Sequence, residues 1–165
     1  MLNRYTNLFV ASSGAAAAFI GLLFVALTIA NQEERDSPVR TRRDALAASC
    51  FALLIDAFFV SVGGLLDSVR TFASVGVVMA GFGLLTTGRH LPRAVRSGSW
   101  SRDGGIRVLA VVLPAFSVLL YLVQAAFGVG VLASPSNSDL LRLSVLVTLG
   151  LYAGALARAW EITKT

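Results

Sequence analysis

The stretch ALAASCFALLIDAFFVSVGGLL, Ala45–Leu66, decides the fold of this chain. As a helix it extends about 33 Å at 1.5 Å per residue, enough to cross the hydrocarbon core of a bilayer, about 30 Å. Asp56 lies close to its midpoint. A carboxylate at that depth costs about 2.5–3.5 kcal/mol on insertion scales and must be compensated. We interpret Asp56 as the only charged residue inside any apolar run, with no Lys or Arg inside a span to pair with it.

The composition of the whole chain is that of a membrane protein. Of its 165 residues, 56% are hydrophobic and 14% are charged, against about 45–50% and about 25% in soluble domains. The net charge is +5, but the arginines cluster at the ends of apolar runs, which favours anionic lipid over nucleic acid as their partner. Nucleophile motifs, phosphate-binding loops, metal-ligand spacings and redox pairs are absent from the sequence. We therefore expect no enzyme, no metal and no other cofactor.

Five apolar runs predict an all-α, polytopic membrane protein with a single transmembrane domain, residues 1–165. The predicted spans are 8–30, 45–66, 70–88, 108–133 and 140–160, with the second and third forming an antiparallel hairpin. The third run is short, so a re-entrant segment is the alternative there. Eleven Lys and Arg residues, with Arg158 counted in the C-terminal tail, fall on one side, and only Arg4, Arg70 and Arg142 fall on the other. The positive-inside rule therefore predicts N-outside/C-inside.

Polar residues of the fourth span supply candidate partners for Asp56. Ser117, Tyr121 and Gln124 recur at i, i+4 and i+7, so they share one helix face. If the second and fourth spans run in the same direction, Ser117 and Tyr121 fall at about the depth of Asp56, and Gln124 lies about one turn further outward. This pattern predicts a pathway for protons or cations. Polar groups that only satisfy one another explain it too, and in a homo-oligomer Asp56 could form a ring instead.

Small residues at helical spacing predict faces for helix packing or oligomerisation. They let two backbones approach closely, either within one chain or between copies, and both alternatives stay open. The faces are Gly150 and Gly154 in the fifth span, Gly76, Ala80 and Gly83 in the third, and Gly14, Ala17, Ala18 and Gly21 in the first.

Basic residues just after the third span predict a contact with the membrane surface. Arg89, Arg93 and Arg96 are spaced so that a helix would carry them on one face. We interpret them as contacts for anionic lipid head groups at the inner side. Docking of an acidic partner is the alternative.

The segment FVASSGAAAAFIGLLFVALTIANQEE, Phe9–Glu34, resembles the start of a set of small bacterial inner-membrane proteins. These proteins share a small-residue run, a GLLFVA-type core and a polar Asn–Glu step where the span ends. Many are provisionally described as modulators of a membrane AAA protease. The resemblance implies a multi-pass protein of the bacterial cytoplasmic (inner) membrane, and it offers no counterpart for Asp56.

Two functional hypotheses follow. The first is a homo-oligomeric ion channel or pathway that carries protons or cations past Asp56, lined or supported by Ser117, Tyr121 and Gln124. The alternative is a non-catalytic subunit or modulator that binds another membrane protein through its small-residue faces and basic loops.

Overall fold

Five long α-helices make up the computed structural model of this chain. It describes residues 2–33, 38–96 and 104–162, and their side chains except at 30–43, 45 and 90–111. A short 3₁₀ helix, Leu2–Tyr5, comes first. The α-helices are α1 Thr6–Glu33, α2 Pro38–Leu65, α3 Val69–Arg96, α4 Gly104–Ala133 and α5 Ser138–Ile162. Regular structure in the described ranges is entirely helical, as the sequence predicts.

Each of the five α-helices is long and apolar enough to cross a membrane. The apolar parts are Leu2–Ile29, Leu46–Leu65, Val69–Arg89, Val112–Ala133 and Ser138–Ile162. Together they indicate a multi-pass membrane protein, which confirms the coarse prediction. Helix α3 continues unbroken from Val69 to Arg96, which favours a full span over the re-entrant alternative for the third run.

Local signals at the helix ends explain where the chain turns. Pro38 opens α2 at the first helical position, where its missing N–H costs no helical hydrogen bond. After α2, Asp67 adopts a positive φ of 53°, a conformation that Asp tolerates better than most residues. The Ser68 hydroxyl then accepts a hydrogen bond from the Thr71 N–H at the start of α3. The α2–α3 hairpin therefore forms as predicted, through a connection of three residues.

Helix α2 is the central element. It packs against α1, α3 and α5, while α4 packs against α3 and α5. Helices α2, α3, α4 and α5 thus close a four-helix ring, in which α2 and α4 lie on a diagonal, and α1 covers the outside of α2. Half of the apolar part of α2 is buried, against 22% for α1. Helix α2 therefore has the largest buried share of the five apolar parts.

Close contact between α3 and α4 depends on two glycines. A Cβ at Gly83 would lie 2.3 Å from the ring of Tyr121, and a Cβ at Gly128 would lie 2.7 Å from the Val77 side chain. Such distances are far below van der Waals contact, so a larger residue at either position would push the two helices apart. The fit of Tyr121 against Gly83 fixes the α4 face that carries Ser117 and Gln124.

Candidate functional site

The predicted intramembrane acid meets an amide across the helix ring. The side chain of Asp56 is only 1% exposed, and that of Gln124 is 7% exposed. Nε2 of Gln124 donates to Oδ1 of Asp56 at 2.8 Å and to the backbone carbonyl of Gly76 at 3.0 Å. One amide group thus joins α2, α3 and α4. We call Asp56 and Gln124 the acid–amide pair.

Two atoms of the acid–amide pair have no hydrogen-bond partner among the described residues. They are Oδ2 of Asp56 and Oε1 of Gln124, and both are buried. A buried acceptor left without a donor costs about 1–3 kcal/mol, and more when it is charged. Both orphan atoms are acceptors as long as the acid is ionised. The pair therefore has one donor too few for its buried oxygens.

The depths of the fourth-span partners stay a prediction, but the structure shows which of these residues is hydrogen-bonded to Asp56. Ser117, Tyr121 and Gln124 do share a buried face of α4, with exposures of 3%, 1% and 7%. The residue hydrogen-bonded to Asp56 is Gln124, however, and Ser117 lies seven residues before it on α4. Tyr121 lies between them and interacts electrostatically with Asp56 and with Arg158.

Arg158 is a second buried charge, and the interpretation of Asp56 as the only charged residue inside an apolar run is wrong. Arg158 is 1% exposed. Its Nη1 donates to the Gly154 carbonyl at 2.9 Å, and its Nη2 donates to the Leu113 carbonyl at 2.6 Å and to the Ser117 hydroxyl. We call this set the arginine site. Its described acceptors are all neutral, so the guanidinium keeps a net positive charge inside the bundle.

Helix geometry contains a signal that could have located the arginine site. Side chains on an α-helix lean toward its N-terminus. Arg158 lies near the C-terminal end of α5, so this lean directs it into the bundle instead of out to the membrane surface. Arg142 lies near the N-terminal end of the same helix, where the same lean directs it outward, and it is exposed. Arg158 is thus buried and Arg142 exposed because they lie at opposite ends of α5.

Hydroxyl groups from α1, α2 and α5 form a second polar group between the helices. Oγ of Ser12 lies 2.7 Å from Oγ of Ser61 and 2.8 Å from the hydroxyl of Tyr152. Tyr152 donates to the Ser12 carbonyl, and Ser61 donates to the Ala57 carbonyl at 2.7 Å. We call Ser12, Ser61 and Tyr152 the hydroxyl cluster. It joins α1, α2 and α5, and each of its hydroxyl oxygens has a partner.

The predicted small-residue faces are used in different ways. In α5, a Cβ at Gly150 would lie 3.2 Å from Leu120, and one at Gly154 would lie 3.3 Å from Leu53. This pair therefore packs against α4 and α2 of its own chain. In α3, Gly83 packs on Tyr121, Ala80 is fully buried, and Gly76 supplies the carbonyl to Gln124. In α1, by contrast, the face is exposed, with the members Gly14, Ala17, Ala18 and Gly21.

The predicted basic face lies on the C-terminal part of α3. Arg89, Arg93 and Arg96 all belong to this helix, as the predicted face requires. The side chain of Arg89 is exposed. The side chains of Arg93 and Arg96 lie outside the described ones.

Comparison with protein-family models, with curated proteins and with solved structures finds no match. The resemblance of Phe9–Glu34 to modulators of a membrane AAA protease therefore stays a prediction. Almost all of that segment lies in α1, which ends at Glu33. Function is inferred below from the geometry of the buried polar groups.

Proposed function

We propose that this protein carries a proton pathway through the interior of each chain, with Asp56 as the group that binds and releases the proton. The observation that carries this proposal is the pair of orphan acceptors, Oδ2 of Asp56 and Oε1 of Gln124. A proton on Oδ2 supplies the missing donor. The acid–amide pair then forms two hydrogen bonds, with Nε2 donating to Oδ1 and Oδ2 donating to Oε1.

The same atoms favour a proton over a metal cation. A cation that leaves water must have its hydration shell replaced by several protein oxygens, as in the filters of cation channels. The acid–amide pair offers two unused oxygens, and the Gly76 carbonyl beside it already accepts from Gln124. One proton needs only one donor oxygen and one acceptor oxygen. The site therefore matches a proton in both number and type of ligand.

The arginine site holds a second buried charge further along the same face of α4. Ser117, which binds Arg158, and Gln124, which binds Asp56, are seven residues apart on α4, about 10 Å along the helix axis. Tyr121 lies between them on the same face of α4 and interacts electrostatically with both Asp56 and Arg158. Proton release toward the Arg158 end of the bundle follows this α4 face.

The pathway proposed here lies inside one chain and does not require a ring of subunits. Asp56 points into its own bundle, where its side chain is 1% exposed, so a ring of Asp56 residues around an axis between copies is disfavoured. A homo-oligomer stays a prediction that the pathway does not need. The same proposal includes the N-outside/C-inside orientation and a location in the bacterial cytoplasmic membrane. It also includes contacts of Arg89, Arg93 and Arg96 with anionic lipid, and it includes no catalysis.

Proton flux in liposomes tests the proposal. Wild-type protein, reconstituted with a trapped pH-sensitive dye and driven by a potassium diffusion potential, is expected to acidify the lumen faster than empty liposomes. Asp56→Asn is expected to return the rate to that of empty liposomes, because Asn has no proton to exchange. Tyr152→Phe, a change in the hydroxyl cluster, is the matched control and is expected to keep the wild-type rate. Equal rates for wild type and Asp56→Asn would contradict the proposal.

A second candidate function rests on the exposed face of α1. A Cβ at Gly14 or Gly21 would meet no atom within 4 Å, so this face is open to a transmembrane helix of another protein. A non-catalytic subunit or modulator would use it for docking. Photocrosslinking from Ala17 in native membranes is expected to give hetero-adducts that Gly14→Leu abolishes. Crosslinks only between copies of this chain would remove this candidate.

A further inference from the structure

We propose that a cavity at the N-terminal end of the bundle binds the phosphate of an anionic phospholipid head group, between Arg4 and Arg142. This cavity has a volume of about 780 Å³ and lies between the start of the chain and the start of α5. The residues that line it are Asn3, Arg4, Tyr5, Ser138, Leu141 and Arg142. We call it the two-arginine cavity.

The described residues that line the two-arginine cavity carry only positive charge. Two guanidinium groups line it, and none of its lining residues is acidic. The side chains of Arg4 and Arg142 are exposed and make no hydrogen bond or ion pair in the part of the chain that the structure describes. Guanidinium groups bind phosphate through two parallel N–H donors, a geometry that a single lysine does not offer. The cavity is therefore suited to a phosphate oxygen pair.

Arginine side chains carry this site, and the helix N-terminus beside them contributes little. The first free amides of α5, those of Asp139 and Leu140, donate to Oδ1 of Asn137 at 3.0 Å and 3.2 Å. They are thus already capped by a side chain of the preceding turn. Removing the arginines is therefore expected to remove the affinity.

The surroundings of the cavity favour a lipid over a soluble phosphate compound. The apolar spans begin at Leu2 and at Ser138, so the cavity lies at the level of the lipid head groups. Leu141 lines it and belongs to a buried apolar cluster with Leu2 and Phe9. Leu146, one turn after Arg142 on the same helix face, is 58% exposed. A head group between the arginines thus has an apolar track for its acyl chains directly beneath it.

Three arginines, Arg4, Arg70 and Arg142, lie at this end of the helix bundle, and Arg70 supplies an internal control. It is exposed at the start of α3 and does not line the cavity. Substitution of Arg70 therefore removes the same charge from the same end of the bundle without touching the proposed site. All three side chains are exposed, so their substitution by Gln is expected to leave the fold intact, which circular dichroism checks.

Lipid retention by the full-length protein tests the proposal. Native mass spectrometry of protein released from nanodiscs is expected to show retained phosphatidylglycerol in preference to phosphatidylcholine with the same acyl chains. Arg4→Gln and Arg142→Gln are each expected to lower that preference about fivefold, since one arginine near a lipid surface contributes about that factor. Arg70→Gln is expected to leave it unchanged. An equal loss with Arg70→Gln, or no preference in wild type, would overturn the site.

A competition arm separates the two sources of phosphate. Glycerol 3-phosphate, the soluble part of the same head group, is added at millimolar concentration before release. Retained phosphatidylglycerol is expected to stay bound, because its acyl chains hold it along α5. Displacement of the lipid by glycerol 3-phosphate would overturn the lipid assignment and give the cavity to a soluble phosphate compound.

Discussion

Helix α2 takes part in two buried polar groups that differ in how fully their atoms are paired. In the hydroxyl cluster, Ser12, Ser61 and Tyr152 each find partners among themselves and nearby carbonyls. In the acid–amide pair, Oδ2 of Asp56 and Oε1 of Gln124 find none in the described part of the chain. Both groups join α2 to two other helices, and Tyr152 is the one member that is only partly buried.

This difference in pairing suggests a packing role for the hydroxyl cluster and the proposed proton-binding role for the acid–amide pair. Polar groups that hold helices together gain nothing from an unpaired acceptor, because each one costs about 1–3 kcal/mol. The hydroxyl cluster avoids that cost and is adequately explained as interhelical hydrogen bonding. The acid–amide pair has two such unpaired acceptors. A group that exchanges a proton must have a state in which its acceptor oxygen is without a donor. Four substitutions break or sharpen this comparison.

Gln124→Leu is expected to have the largest effect. It removes the donor to Oδ1 and leaves the carboxyl of Asp56 buried without any described partner. We expect the free energy of unfolding to fall by about 3 kcal/mol, the upper range for a hydrogen bond to a charged group. Reversible unfolding in mixed micelles with increasing SDS measures it. A loss as small as that of Tyr152→Phe would mean that the two polar groups are equivalent.

Gly83→Ala tests whether the α4 face is held in register by the contact with Tyr121. The new methyl would lie 2.3 Å from the ring, so the free energy of unfolding is expected to fall by about 2 kcal/mol through overpacking. Gly76→Ala is the matched control on the same helix, because a Cβ there meets nothing within 4 Å. It is expected to be neutral or stabilising by up to about 1 kcal/mol. Equal losses at both positions would contradict the packing argument.

Asp56→Asn is expected to stabilise the fold while it abolishes proton flux. Asn keeps the acceptor for Nε2 of Gln124 and adds an N–H that can donate to Oε1, so both orphan atoms are paired. The expected gain is about 1 kcal/mol. It should grow as the pH is raised, because the acid loses its proton donor and Asn retains its own. SDS unfolding at several pH values measures this gain, and a loss of stability at every pH would contradict it.

Tyr152→Phe is expected to have the smallest effect. It deletes one hydroxyl from the fully paired hydroxyl cluster, and interhelical hydrogen bonds in membrane proteins contribute about 0.6 kcal/mol on average. The same unfolding assay measures the loss, and proton flux is expected to stay at the wild-type rate. A loss of flux in Tyr152→Phe would extend the proposed pathway into the hydroxyl cluster.

Much of the architecture could be predicted because it depends on local sequence. The length of each apolar run gives the helices, and Pro38, Asp67 and Asn137 account for where they begin and end. The spacing of Ser117, Tyr121 and Gln124 gives one shared face, because a helical period is a property of a single helix. The midpoint position of Asp56 in its run likewise needs no tertiary information.

Only the tertiary structure decided which of these groups meet. Gln124, and not Ser117, is the hydrogen-bond partner of Asp56, and this choice depends on how α2 and α4 lie relative to each other in the bundle. Burial of Arg158 depends on α5 lying beside α4, since a lone helix would leave it exposed. The sequence thus determined five membrane-length helices and an acid at the midpoint of one apolar run, while interhelical packing, which no single-helix period encodes, decided the hydrogen-bond partner of that acid.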